Sequence, residues 1–150
     1  MIAEHARIDL ERKISVAPDI VWRLLTDAKT RAICGPGPAE VLQFTHVDTR
    51  IGGQDVHLCG PKDDPAFEVT TLWHRLDAPE AACFTEVLRS SGGVLAASQV
   101  DYALVPDRSG VQLTVTIWAS SFVGPGMIGG FRDGWQTALD TLKGTAEAKE

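Results

Sequence analysis

"GPGMIGG", residues 124–130, is the stretch on which the fold turns. Its glycines at 124, 126 and 129 meet the G-x-G-x-x-G spacing of a dinucleotide-binding turn, a motif that works only where a strand feeds a helix inside a βαβ unit. Before it, "VQLTVTIWA" (111–119) alternates strictly. Val111, Leu113, Val115 and Ile117 share one face and Gln112, Thr114 and Thr116 the other, as in a strand with one wet face. After it the period becomes helical, with Phe131, Trp135, Leu139 and Leu142 recurring every three to four residues and Met127 or Ile128 one turn earlier. A Rossmann turn needs a following parallel strand, but this helix, residues 127 to about 146, runs into "GTAEAKE". The glycine stretch therefore reads as a loop that turns the chain and brings a docking helix onto a sheet, not as a nucleotide site.

Working back from there, hairpin-like strands succeed one another. "ARIDLERKISV" opens the chain as a strand with Ile8, Leu10, Ile14 and Val16 on one face and a register slip open at Glu11-Arg12-Lys13. Pro18 then suits the first position of a short helix burying Val21, Trp22 and Leu25, and Asp19 favours its positive end. "AKTRAI" adds a second short helix, stopped by "CGPGP". "VLQFTHVD", "QDVHLC", "FEVTTLWHRL", "ACFTEVL" and "AASQVDYALV" follow, separated by Gly-, Pro- and Asp-rich turns. The expected fold class is α+β: a curved antiparallel sheet of six or seven strands, two short helices after strand one, and a long C-terminal helix across the concave face. One domain, residues 1–150, accounts for the chain.

Composition narrows the function classes. A net charge of −6 argues against nucleic acid, whose phosphates are held by Lys and Arg. No run of 18 or more apolar residues is present, so no membrane partner is expected and the location reads as cytoplasmic. Cys34, Cys59 and Cys83 are odd in number and widely spaced, and read as reduced structural thiols. His5, His46, His57 and His74 show no metal-ligand spacing. Neither a metal nor another cofactor is expected.

The space between helix and sheet is the functional candidate. By strand parity and helix phase its lining is Leu42, Phe44, His46, Val56, Leu58, Tyr102, Leu113, Val115 and Ile117, with Met127, Phe131 and Trp135 above. The facing of Asp55 and His57 stays open, because a one-residue slip inverts every side chain of a strand. Gly130 and Gly134 lie four apart inside the helix, where each costs about 1 kcal/mol against Ala. Close packing and room for a ligand are both reasons for them.

"APDIVWRLLTD" (17–27), "DTRIGGQDVHLCGP" (48–61), "LDAPEAACF" (76–84), "VDYALVPDRSGVQLTVT" (100–116) and "GWQTALDTL" (134–142), in this order, resemble the START-like (SRPBCC) superfamily and its group related to the activator of Hsp90 ATPase, AHSA1. The resemblance implies the helix-grip fold and a cavity for a small apolar or amphipathic molecule. It departs at "RAICGPGP", where relatives carry aromatic residues before the first Gly-Pro. The alternatives are a polyketide-cyclase-like enzyme, for which His46, His74, Asp48, Arg50 and Tyr102 are the candidate acid or base groups and His46 the best placed by parity, with no nucleophile beside a base readable, and a co-chaperone-like protein–protein role. The expected partner is a small hydrophobic ligand, with a homodimer left open.

Overall fold

The computed structural model describes residues 2–34 and 40–148, without the side chains of 33 and 34. The readings of Cys34 and of the Gly-Pro segment that follows lie outside the described residues. The elements are β1 (Glu4–Ile14), α1 (Pro18–Thr26), α2 (Ala28–Cys34), β2 (Glu40–His46), β3 (Gln54–Pro61), β4 (Phe67–Asp77), β5 (Ala81–Ser90), β6 (Gly93–Asp107), β7 (Gly110–Ser121) and α3 (Gly126–Glu147). Seven strands form one antiparallel sheet in the order β1-β7-β6-β5-β4-β3-β2. No parallel pair exists among them, so the dinucleotide reading has no βαβ unit to act in. The glycine stretch is less of a loop than its sequence suggests, since α3 already begins at Gly126.

Alternation explains the sheet's buried face. Val111, Leu113, Val115, Ile117 and Ala119 of β7 are buried, together with Ile8, Leu10 and Ile14 of β1 and Val100, Tyr102 and Leu104 of β6. The register of β1 against β7 is unbroken from Glu4 to Ile14, so the slip left open at residues 11–13 does not occur. Arg12 keeps the inward parity and reaches past the apolar edge to Asp140 of α3, Nε to Oδ1, at 2.8 Å. At the β6–β7 turn, Gly110 has φ +148°, and a Cβ there would lie 2.2 Å from the Ile14 carbonyl oxygen. Only glycine lets β1 end against this turn.

Helix α3 is held unevenly. Its C-terminal half buries Leu139, Leu142 and Ala146 and is tied to the end of β1, where Glu147 Oε2 accepts from both the backbone N–H and the hydroxyl of Ser15 at 3.0 Å. In its N-terminal half Ile128, Phe131 and Trp135 are only partly buried against the core. That difference leaves a space beneath the first half of the helix. Among the described residues, no helix is long and apolar enough to cross a membrane.

Candidate functional site

A cavity of about 460 Å³ lies between α3, the concave face and the two short helices, within the range of small-molecule sites. Met127, Phe131, Trp135, Ala138 and Leu142 of α3 form its roof, with Leu24 and Leu25 of α1 beside them. An aromatic chain runs from the core through the floor to the roof: Trp73 to Phe84, Phe84 to Tyr102 and Tyr102 to Trp135, with ring centroids 5.0, 5.3 and 6.2 Å apart. Offset and edge contacts of this kind are the favourable ones.

Gly130 and Gly134 also line the cavity, and a Cβ built on either meets no atom within 4 Å. Close packing therefore does not explain them. Both are exposed, so they stand at the open edge of the cavity, where Gly134 shares its helical stripe with Phe131 and Ala138. Their absent side chains leave room at a cost in helix propensity.

One end of the cavity is polar. The N-cap Asp27 of α2 accepts from the Thr30 backbone N–H at 3.0 Å and so fixes the turn that carries Arg31. Arg31 packs over the rings of Phe44 and Trp73, 5.2 and 6.0 Å from their centroids. Behind it, Asp55 is fully buried and accepts from Asp48 N at 2.7 Å, Thr49 Oγ1 at 2.8 Å and Trp73 Nε1 at 2.8 Å. The turn that presents Asp48 requires Gly53, whose Cβ would lie 2.1 Å from the Asp48 carbonyl oxygen. Arg31, His57, Cys59 and Glu86 all face the cavity.

Two of these groups are shifted. Burial, with Arg31 nearby, lowers the His57 pKa to about 4, although Asp55 pulls the other way. Burial raises Glu86 above the usual carboxylate range, opposed by Arg31 and by the hydroxyl of Thr71, which donates at 3.2 Å. The Glu86 residue is only partly covered by protein, and the side it leaves open faces the cavity. Cys59 is pushed up to about 11, mainly by burial, so it stays a thiol at neutral pH.

The His57 shift has a thermodynamic consequence. Between pH 6.5 and about 4 the unfolded chain takes up a proton at this position that the folded chain refuses, so the associated stability is present above pH 6.5 and lost on acidification. Urea denaturation at pH 7 and pH 4 should show wild type losing about 3 kcal/mol more than His57→Gln. Equal losses in the two proteins would contradict the buried, neutral imidazole.

Of the ligand-binding residues read from the sequence, Tyr102, Met127, Phe131 and Trp135 line the cavity, as does Leu42. Phe44 stands beside it, its ring 5.3 Å from that of His57. Leu113, Val115 and Ile117 are fully buried within the core instead. Val56 and Leu58 lie on the opposite face of β3, because it is Asp55 and His57 that turn inward. His46 is exposed. The β2–β3 register runs from Phe44 opposite His57 to His46 opposite Val56, so the extra residue Thr45 carries His46 to the outer face. Arg31, His57 and Glu86 join the site in the fold without a place in the lining that parity and helix phase give. For Glu86 a signal existed: it breaks an inward-facing run of Ala82, Phe84 and Leu88 in "ACFTEVL".

A sheet of seven antiparallel strands, wrapped around a long C-terminal helix with two short helices closing one end, decides the architecture. The chain has the helix-grip fold. Solved structures share it: an uncharacterised protein from Rhizobium leguminosarum matches with TM-score 0.85 at 17% identity over 99% of this chain and 98% of that one. A protein from Rhizobium loti matches at 0.83 and 22%, covering 96% and 99%. An AHSA1-like protein from Aeromonas hydrophila matches at 0.75 and 23%, covering 96% and 94%. No family model matches the chain, and no curated protein matches it in sequence. The helix-grip neighbours bear out, at the level of fold, the START-like and AHSA1-related resemblance of the sequence.

Proposed function

We propose that the protein binds a small apolar or amphipathic molecule in the cavity beneath α3. The observation that carries this reading is the cavity of about 460 Å³ itself, lined mainly by apolar side chains and opening past Gly130 and Gly134, where no atom lies near the absent side chains. A helix selected only to dock would gain about 1 kcal/mol at each position from Ala. The apolar roof supplies affinity by excluding water, and the polar end supplies orientation.

The test is a titration with anilinonaphthalene sulfonate, whose emission rises on leaving water. Native protein should bind it at one saturable site with blue-shifted emission. Emission that never saturates, or that appears only on partial unfolding, would contradict a built cavity.

A second reading is acid–base catalysis in the same cavity, as in the polyketide cyclases that share this resemblance. Glu86 favours it, because a carboxyl held toward its protonated form inside an apolar cavity is suited to general-acid work. It predicts turnover of an aromatic or polyketide-like substrate that Glu86→Gln lowers by roughly 10²- to 10⁴-fold with affinity retained. The surface-facing His46 has no place in this reading.

A further inference from the structure

The polar end of the cavity is satisfied on one side only. Asp55 has its oxygens occupied by donors from the 48–49 turn and from Trp73. Arg31 has no such complement. Its Nη1 stands 3.8 Å from Asp55 Oδ2, an ion-pair separation too long for a hydrogen bond, and that nitrogen is buried without a hydrogen-bond partner. The rings of Phe44 and Trp73 meet the guanidinium through their π-faces and accept none of its in-plane N–H groups in the conventional way.

His57, only 5% exposed, likewise has a buried Nδ1 with no partner. Among the described residues, Asp55 is the one carboxylate within ion-pair distance of Arg31. Glu86 faces the same space, and burial raises its pKa against the pull of Arg31, which weakens the competing charge it brings there. The cavity end thus offers a cation and an unpartnered imidazole nitrogen to whatever enters, while its one firmly bonded carboxylate is turned away in its own network.

We infer that the molecule bound in the cavity carries an anionic oxygen head group, with carboxylate as its simplest form and enolate or phenolate as equivalents, received by the Arg31 guanidinium beside His57. Its apolar body then lies under Phe131 and Trp135 at the other end. This rests on the cavity-binding reading above and names the ligand class for that site. Arg suits the task because its planar fork meets two oxygens at once.

The experiment is calorimetric titration of the whole chain with naphthoic acid, naphthylmethanol and naphthylmethylamine, three probes of one apolar body and different heads. Wild type is expected to bind the acid at least tenfold more tightly than the alcohol, and the amine more weakly than either. Arg31→Gln should remove the acid's advantage and leave the alcohol's affinity within about threefold. Should Arg31→Gln fail to fold, the ranking of the three probes on wild type still decides, and Glu86→Gln should preserve that ranking. Equal affinity for acid and alcohol, or preference for the amine, would overturn the head-group assignment while leaving cavity binding intact. Failure of all three probes, together with failure of anilinonaphthalene sulfonate, would overturn both.

Discussion

Asp55→Ala is expected to destabilise the protein by about 3–5 kcal/mol, the cost of breaking a buried charge pair by removing one partner. The magnitude follows from what the carboxylate holds. Its loss leaves the Asp48 N–H, the Thr49 hydroxyl and the Trp73 indole N–H without their acceptor, and leaves Arg31, with 13% of its side chain exposed, without a counter-charge. Buried donors deprived of acceptors keep their full desolvation penalty. Trp73→Phe removes a single donor to Asp55 and keeps most of the aromatic contact with Phe84, so it should cost clearly less. Urea denaturation of the two variants at pH 7 checks the ordering. A loss below about 1 kcal/mol for Asp55→Ala would mean that the network does not hold the polar end of the cavity together.

The second large effect is at α3, and there stability and binding should move in opposite directions. Gly130→Ala with Gly134→Ala should stabilise the protein by about 2 kcal/mol in total, since neither Cβ meets an atom and each exchange recovers helix propensity. Leu at both positions places two larger side chains at the open edge of the cavity, over its mouth. Stability should then stay at or above wild type, because open space admits them without strain. Affinity for anilinonaphthalene sulfonate should fall by about a hundredfold or more, equivalent to about 2.7 kcal/mol. If the Leu pair destabilises the fold instead, the glycines serve close packing and the proposed room for a ligand is absent.

These two sites differ in how far the sequence discloses them. The sheet is legible because its strands alternate cleanly and its turns carry Gly, Pro and Asp, so the strands, α1 and α3 emerge within a few residues of their observed bounds. Tyr102, Phe131 and Trp135 are legible for the same reason, being fixed by strand parity and helix phase. Val56 and Leu58 are not. Their apolar character draws them inward on paper, whereas the buried acceptor needed by Trp73, Asp48 and Thr49 draws Asp55 inward in the fold, and period two then carries His57 with it.

His46 follows from a local event that no pattern announces, the single extra residue at Thr45. Arg31 lies deeper still. A basic residue in a short helix reads as surface, and only the docking of α2 over Phe44 and Trp73 makes it part of the cavity wall. The paired glycines stand between these cases. Their cost is visible in sequence, but the choice between packing and room depends on which atoms surround them.

Native mass spectrometry of the protein purified from its own host, beside the Gly130→Leu/Gly134→Leu variant prepared identically, tests the central claim most directly. A small molecule retained by wild type, absent from the Leu pair, and released on denaturation as an organic acid is the predicted result. A wild-type protein that carries no small molecule and takes up none of the naphthyl probes, or one whose retained mass is undiminished in the Leu pair, would contradict it.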